Sequence, residues 1–72
     1  MNVDNGKEVI VRELKENIMI VYENGEKVYE GGFSGDWKSG YKRQGTGKEY
    51  KNGILVYEGE FVNDKRSIML FE

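Results

Sequence analysis

The chain has 72 residues, of which 33 % are charged, with no Cys, His or Pro and a formal net charge of −2. This excludes a disulfide framework and makes a conventional zinc or iron site untenable. The length allows one small domain that buries only ~60 % of its unfolded surface, so a second copy or another protein is expected to help cover it.

Residues 1–20 carry Asp4, Lys7, Glu8, Arg12, Glu13, Lys15 and Glu16, which leaves no apolar core for a signal peptide. No run approaches the ~20 apolar residues of a membrane span. With no Cys to pair, a reducing cytoplasm is the expected compartment. The charges are mixed in sign along the chain, which argues against direct electrostatic binding of nucleic acid and makes membrane binding a minor alternative.

The elements read as an all-β antiparallel meander of six strands in a single domain, near 7–14, 18–23, 26–34, 42–50, 54–62 and 65–71. Residues 7–17 could instead form a short helix, but the β-branched Val9, Ile10 and Val11 and the missing N-terminal cap oppose it. Asn5-Gly6, Asn24-Gly25 and Asn52-Gly53 punctuate the strands, and Asn63-Asp64 has the same character. Asn-Gly between β-forming segments predicts two-residue hairpin turns, because both residues tolerate positive φ.

An internal repeat underlies this punctuation. Residues 20–33 (IVYENGEKVYEGGF) and 48–61 (KEYKNGILVYEGEF) agree at eight of fourteen positions at a shift of 28. Strand alternation places Tyr29, Gly31 and Phe33 on one face, and Tyr57, Gly59 and Phe61 likewise in the second copy. Each central Gly leaves a slot between two aromatic residues, and a ring from a neighbouring strand, such as Tyr22 or Tyr50, is expected to cover it. Glu30, Glu58 and Glu60 would face water or a partner.

Tyr29-Glu30-Gly31-Gly32-Phe33, then Lys42-Arg43-Gln44-Gly45-Thr46-Gly47, Tyr50, Asn52-Gly53 and Tyr57-Glu58-Gly59-Glu60-Phe61 together resemble the MORN repeat. The resemblance covers about residues 20–67 and implies β-hairpins stacked into an elongated antiparallel sheet. It divides the domain into an N-terminal cap hairpin (about 1–19), a first unit (20–50) and a truncated second unit (51–72). The chain departs from the pattern in about five residues inserted between Phe33 and Lys42, which should lengthen a hairpin tip. A second departure replaces the final Gly-x-Gly with Ile68-Met69-Leu70, which suggests a capping or docking strand.

Gly45-Thr46-Gly47-Lys48 lacks the spacing and the strand-to-helix context of a phosphate loop. Without His or Cys the usual general bases and nucleophiles are missing, so neither enzymatic activity nor a cofactor is expected. Two regions break the repeat and are the candidate partner-binding sites. The inserted tip, Ser34 to Gln44, holds Trp37, Lys38, Tyr41, Lys42 and Arg43, and Trp, Tyr and Arg are enriched at binding hot spots. Packing of Trp37 back onto its own hairpin is the competing expectation. The apolar ending contributes Ile68, Leu70 and Phe71. Like Val9–Val11 and Ile18–Val21, it lacks alternation and would present both strand faces as apolar.

These features point to a non-enzymatic protein-protein interaction module acting on an unidentified protein partner, as a homodimer or within a hetero-complex. The resemblance implies scaffolding, tethering or dimerisation, and short bacterial proteins of this kind are described as antitoxin-like. A chain of 72 residues with its own Met1 fits a stand-alone binder or inhibitor. The alternatives are a tether to anionic lipid through the basic, aromatic tip, and a phage-encoded inhibitor of a host defence or nucleic-acid-handling enzyme.

Overall fold

A computed structural model describes residues 8–67. They form one six-stranded sheet in chain order: β1 (Ile10–Lys15), β2 (Ile18–Glu23), β3 (Glu26–Asp36), β4 (Gly40–Lys51), β5 (Ile54–Val62) and β6 (Lys65–Arg66). Every neighbouring pair is antiparallel. The expected all-β meander is therefore present. In place of the helical alternative over 7–17, Ile10–Lys15 form strand β1, because they pair residue by residue with β2 and set Leu14 beside Met19.

The turns follow from local chemistry. Asn24-Gly25 has φ of 52° and 86°, Asn52-Gly53 has 53° and 79°, and Asn63-Asp64 has 54° and 76°. A type I′ turn requires positive φ at both central residues, and its twist matches that of the flanking strands. The Asn63-Asp64 turn reaches this geometry without Gly, because short polar side chains tolerate the left-handed region.

The repeat at a shift of 28 extends to the irregularities of the sheet. The β2–β3 register shifts between Val21 and Tyr22, and the β4–β5 register shifts between Glu49 and Tyr50. Tyr22 thus pairs with Lys27 as Tyr50 pairs with Leu55. A bulge increases local twist, so equivalent bulges bend both hairpins in the same sense.

The cross-strand rows define two faces. One row runs Arg12, Val21, Tyr29, Glu49 and Tyr57, and the next runs Leu14, Met19, Gly31, Gly47 and Gly59. The core lies on this face, where Met19, Val21, Tyr29 and Phe61 are buried and Val28, Phe33, Tyr41 and Tyr57 pack around them. Tyr29 and Phe61 meet edge to face at 5.0 Å, and Tyr57 and Phe61 at 5.3 Å. The opposite face carries the row Glu13, Ile20, Glu30, Lys48 and Glu58. Lys27 Nζ lies 2.8 Å from Glu30 there and 4.6 Å from the Tyr50 ring centre.

The slots left by the glycines are filled differently from the expectation. Neither Tyr22 nor Tyr50 covers them. Each repeat's own tyrosine bends along its strand, so that a methyl group added at Gly31 or Gly47 would strike Tyr29, and one at Gly59 would strike Tyr57. The reason is hydrogen bonding. The Tyr29 hydroxyl donates to the Gly32 carbonyl at 2.6 Å, and the Tyr57 hydroxyl to the Glu60 carbonyl at 3.0 Å. A buried phenol needs an acceptor, and the backbone beyond the glycine supplies one in both copies.

Candidate functional site

The inserted tip is an extension of the β3–β4 hairpin, whose strands of 11 and 12 residues are the longest in the sheet. Asp36 pairs with Gly40, so only Trp37, Lys38 and Ser39 form the loop. The Asp36 carboxylate organises it, accepting hydrogen bonds from the Ser39 amide (2.9 Å), the Lys38 amide (3.0 Å) and the Ser39 hydroxyl (3.1 Å). The Ser39 amide is the foremost of the donors that hold the Asp36 carboxyl below the usual carboxylate range. Gly35 and Gly40, at φ of 93° and 94°, set the strand ends that this loop requires.

The side chains of the tip separate into three groups. Trp37 is 77 % exposed and does not fold back on the hairpin, and the Lys38 ammonium lies 5.4 Å from its ring centre. Lys42 is exposed, and its register partner is Ser34. Tyr41 and Arg43 belong to the packed face. Tyr41 meets Phe33 at 6.0 Å, and the Arg43 guanidinium lies over Tyr29 at 4.8 Å and near Phe61 at 5.9 Å. The structure thus leaves Trp37, Lys38 and Lys42 available on the tip and commits Tyr41 and Arg43 to packing. Ile68, Leu70 and Phe71 lie outside the described residues.

Arg43 belongs to a cluster that sequence inspection does not single out. Glu49 sits between Tyr29 and Tyr57 in the register. Its two carboxylate oxygens accept from Arg43 Nη1 at 3.3 Å and from Arg66 Nε at 2.6 Å. The Arg66 guanidinium lies over Tyr57 at 4.8 Å, the same distance that separates Arg43 from Tyr29. Each repeat therefore stacks one arginine on its own tyrosine, and Glu49 ties the two together. The Asp64 turn joins from the other side, its carboxylate accepting from the Arg43 amide at 3.1 Å while its own amide donates to the Arg43 carbonyl at 2.9 Å. The spacing from Phe to Arg is ten residues in the first copy and five in the second. Allowing for the insertion, Lys42-Arg43 of the first copy matches Lys65-Arg66 of the second, whereas no signal in the sequence marks Glu49.

Arg43, Glu49 and Arg66 of this cluster line an open groove of about 650 Å³, together with Glu23, Glu26, Tyr50 and Lys51. A smaller hollow of about 120 Å³ lies beside it between Ile10, Arg12, Val21, Tyr41 and Asp64. Among the described residues there is no group of three acidic side chains placed to hold a metal ion, and no helix long and apolar enough to cross a membrane. The paired charges of the groove offer a partner both signs within a few ångströms, and two of them, Arg43 and Arg66, are held by stacking on Tyr29 and Tyr57. That suits recognition of a polar protein surface. No protein-family model matches the chain, and no characterised protein or solved structure is significantly similar to it.

Proposed function

We propose that this protein is a non-enzymatic, MORN-like protein-interaction module that engages a partner protein through the exposed tip of its β3–β4 hairpin and the adjoining sheet. The observation that carries the reading is Trp37. The chain's single Trp stands 77 % exposed on a loop fixed by Asp36, with Lys38 against its ring and Lys42 close in sequence. An exposed aromatic held on a rigid turn reaches a partner's pocket with little further loss of conformational freedom. An inhibitory, antitoxin-like role acting in the cytoplasm fits such a binder.

The test uses the full chain as bait in its native host, beside a W37A/K42E variant. The expected result is a partner retained by the wild-type chain and lost by the variant, with thermal stability unchanged. Equal recovery with both baits would overturn the assignment to the tip. The same Trp and lysines also suit an anionic bilayer. Co-sedimentation with phosphatidylserine vesicles at low salt separates the two, since the protein-binding reading expects none.

A further inference from the structure

Two hairpin turns that the repeat makes equivalent sit in different surroundings, and the difference falls on an Asn side chain. Asn24-Gly25 and Asn52-Gly53 are both exposed, with φ of 52° and 53° at the Asn. A methyl group added at either glycine would meet nothing within 4 Å, and neither glycine amide donates to a carbonyl among the described residues. The turns diverge at Val9, which leads into β1. It donates its amide to Asn24 Oδ1 at 3.0 Å and accepts from the Asn24 amide at 2.8 Å. Asn52 has no such clamp among the described residues, because β6 pairs only with Phe61 and Val62, at the other end of β5. Asn63 and Asn17 are blocked in other ways. The amide of Asp64, which follows Asn63, is committed to the Arg43 carbonyl at 2.9 Å, and Asn17 is followed by the β-branched Ile18.

We infer that Asn52 is a site of spontaneous chemical modification, deamidation through a cyclic imide, and that Val9 protects the equivalent Asn24 from the same reaction. The Gly53 amide gives up its proton to hydroxide, and its nitrogen bonds to the side-chain carbonyl carbon of Asn52. The side-chain amide group takes a proton from water and leaves as ammonia. Water then opens the imide at either carbonyl, leaving an aspartyl or an isoaspartyl residue. Glycine favours the first step, because it has no side chain to obstruct its own nitrogen. The Asn side chain must also rotate to bring its carbonyl carbon onto that nitrogen. At Asn24 the rotation breaks the hydrogen bond from Val9, and at Asn52 it breaks none. The product sets a new carboxylate in the groove that Asn52 lines with Lys51 and Arg66. The isoaspartyl form also lengthens the backbone of a two-residue turn, which disturbs the adjoining pairs Lys51–Ile54 and Tyr50–Leu55. The groove is thereby altered as the protein ages, whatever the tip binds.

The experiment incubates the full chain in mildly alkaline buffer and follows each Asn by peptide mapping with fragmentation mass spectrometry, while circular dichroism reports that the sheet is intact. Asn52 is expected to convert about tenfold faster than Asn24, the bias that one net hydrogen bond gives. Asn63 should convert more slowly than Asn52. In urea, where Val9 no longer reaches Asn24, the two Asn-Gly sites should convert at equal rates, which separates the effect of the fold from that of the sequence. V9P removes the donated N–H and keeps the carbonyl, at the start of an edge strand where proline is tolerated. It should raise the Asn24 rate toward that of Asn52 and leave the Asn52 rate unchanged. Equal rates at the two sites in the folded wild-type chain overturn the proposal. So does an Asn24 that stays slow in folded V9P, or an Asn52 that converts in urea but not in the folded protein.

Discussion

The Tyr29 hydroxyl donates to the Gly32 carbonyl at 2.6 Å while its ring lies along the backbone of Gly31 and Gly47. The same relation recurs 28 residues later between Tyr57 and Glu60, across Gly59. A single side chain thus supplies the apolar cover for two glycine backbones and satisfies one carbonyl. Tyr29 is fully buried, so burial pushes its hydroxyl above the ordinary phenol range.

Y29F is expected to cost roughly 1–3 kcal/mol, the penalty of leaving a part-buried carbonyl without its donor. Y57F should cost less than Y29F, because Tyr57 is only half-buried. Urea unfolding followed by circular dichroism measures both. Equal losses would mean that the hydroxyl contributes independently of burial.

G31A should be far more damaging than G53A. A methyl group at Gly31 falls on Gly47 Cα, the Thr46 carbonyl and the Tyr29 hydroxyl, with backbone on two sides. Overpacking against atoms that cannot move costs about 3 kcal/mol, a large part of what a domain this small possesses. Nothing stands within 4 Å of the same atom at Gly53, where φ of 79° alone is at issue, so ~1 kcal/mol is expected there. Thermal melts of the two variants decide.

Removal of Glu49 should be felt on both repeats. E49A leaves Arg43 and Arg66 stacked on their tyrosines with no shared acceptor, and about 1–2 kcal/mol is expected for these partly exposed pairs. A double-mutant cycle of E49A with R66A should show coupling that shrinks in high salt. Strict additivity would show that the stacking on Tyr57, and not the ion pair, holds Arg66.

The loop at the tip should open in acid. The folded pKa of Asp36 lies below that of the unfolded chain, because its carboxylate accepts the Ser39 amide, the Ser39 hydroxyl and the Lys38 amide. Its contribution is complete above the unfolded Asp value of about 3.9 and is lost as pH falls through the folded value. The protection of the Ser39 amide against hydrogen exchange, relative to the free-chain rate at the same pH, should therefore fall in that acidic window, ahead of the core amides. In D36N that protection should be weak at all pH values. The fluorescence of Trp37, one residue from Asp36, provides a second readout.

Range along the chain separates what is legible in the sequence from what is not. The turns at Asn24-Gly25, Asn52-Gly53 and Asn63-Asp64, the six strands, the repeat at 28 and the aromatic face were legible because each depends on residues close in the chain: φ preference at a turn, alternation along a strand. Asn5-Gly6 lies outside the described residues. The extended tip was legible as an insertion, but not the division of its side chains. Arg43 and Trp37 are both candidate hot-spot residues by type, and only the register of β3 with β4 sends Arg43 onto Tyr29 while leaving Trp37 in water. Glu49 was invisible for the same reason. Its importance comes from two arginines 6 and 17 positions away, brought to one carboxylate by strand pairing. Local sequence determined the hairpins through backbone sterics and side-chain alternation. The tertiary sheet decided which charges are consumed within the fold and which remain for a partner, because that depends on cross-strand neighbours that no local pattern encodes.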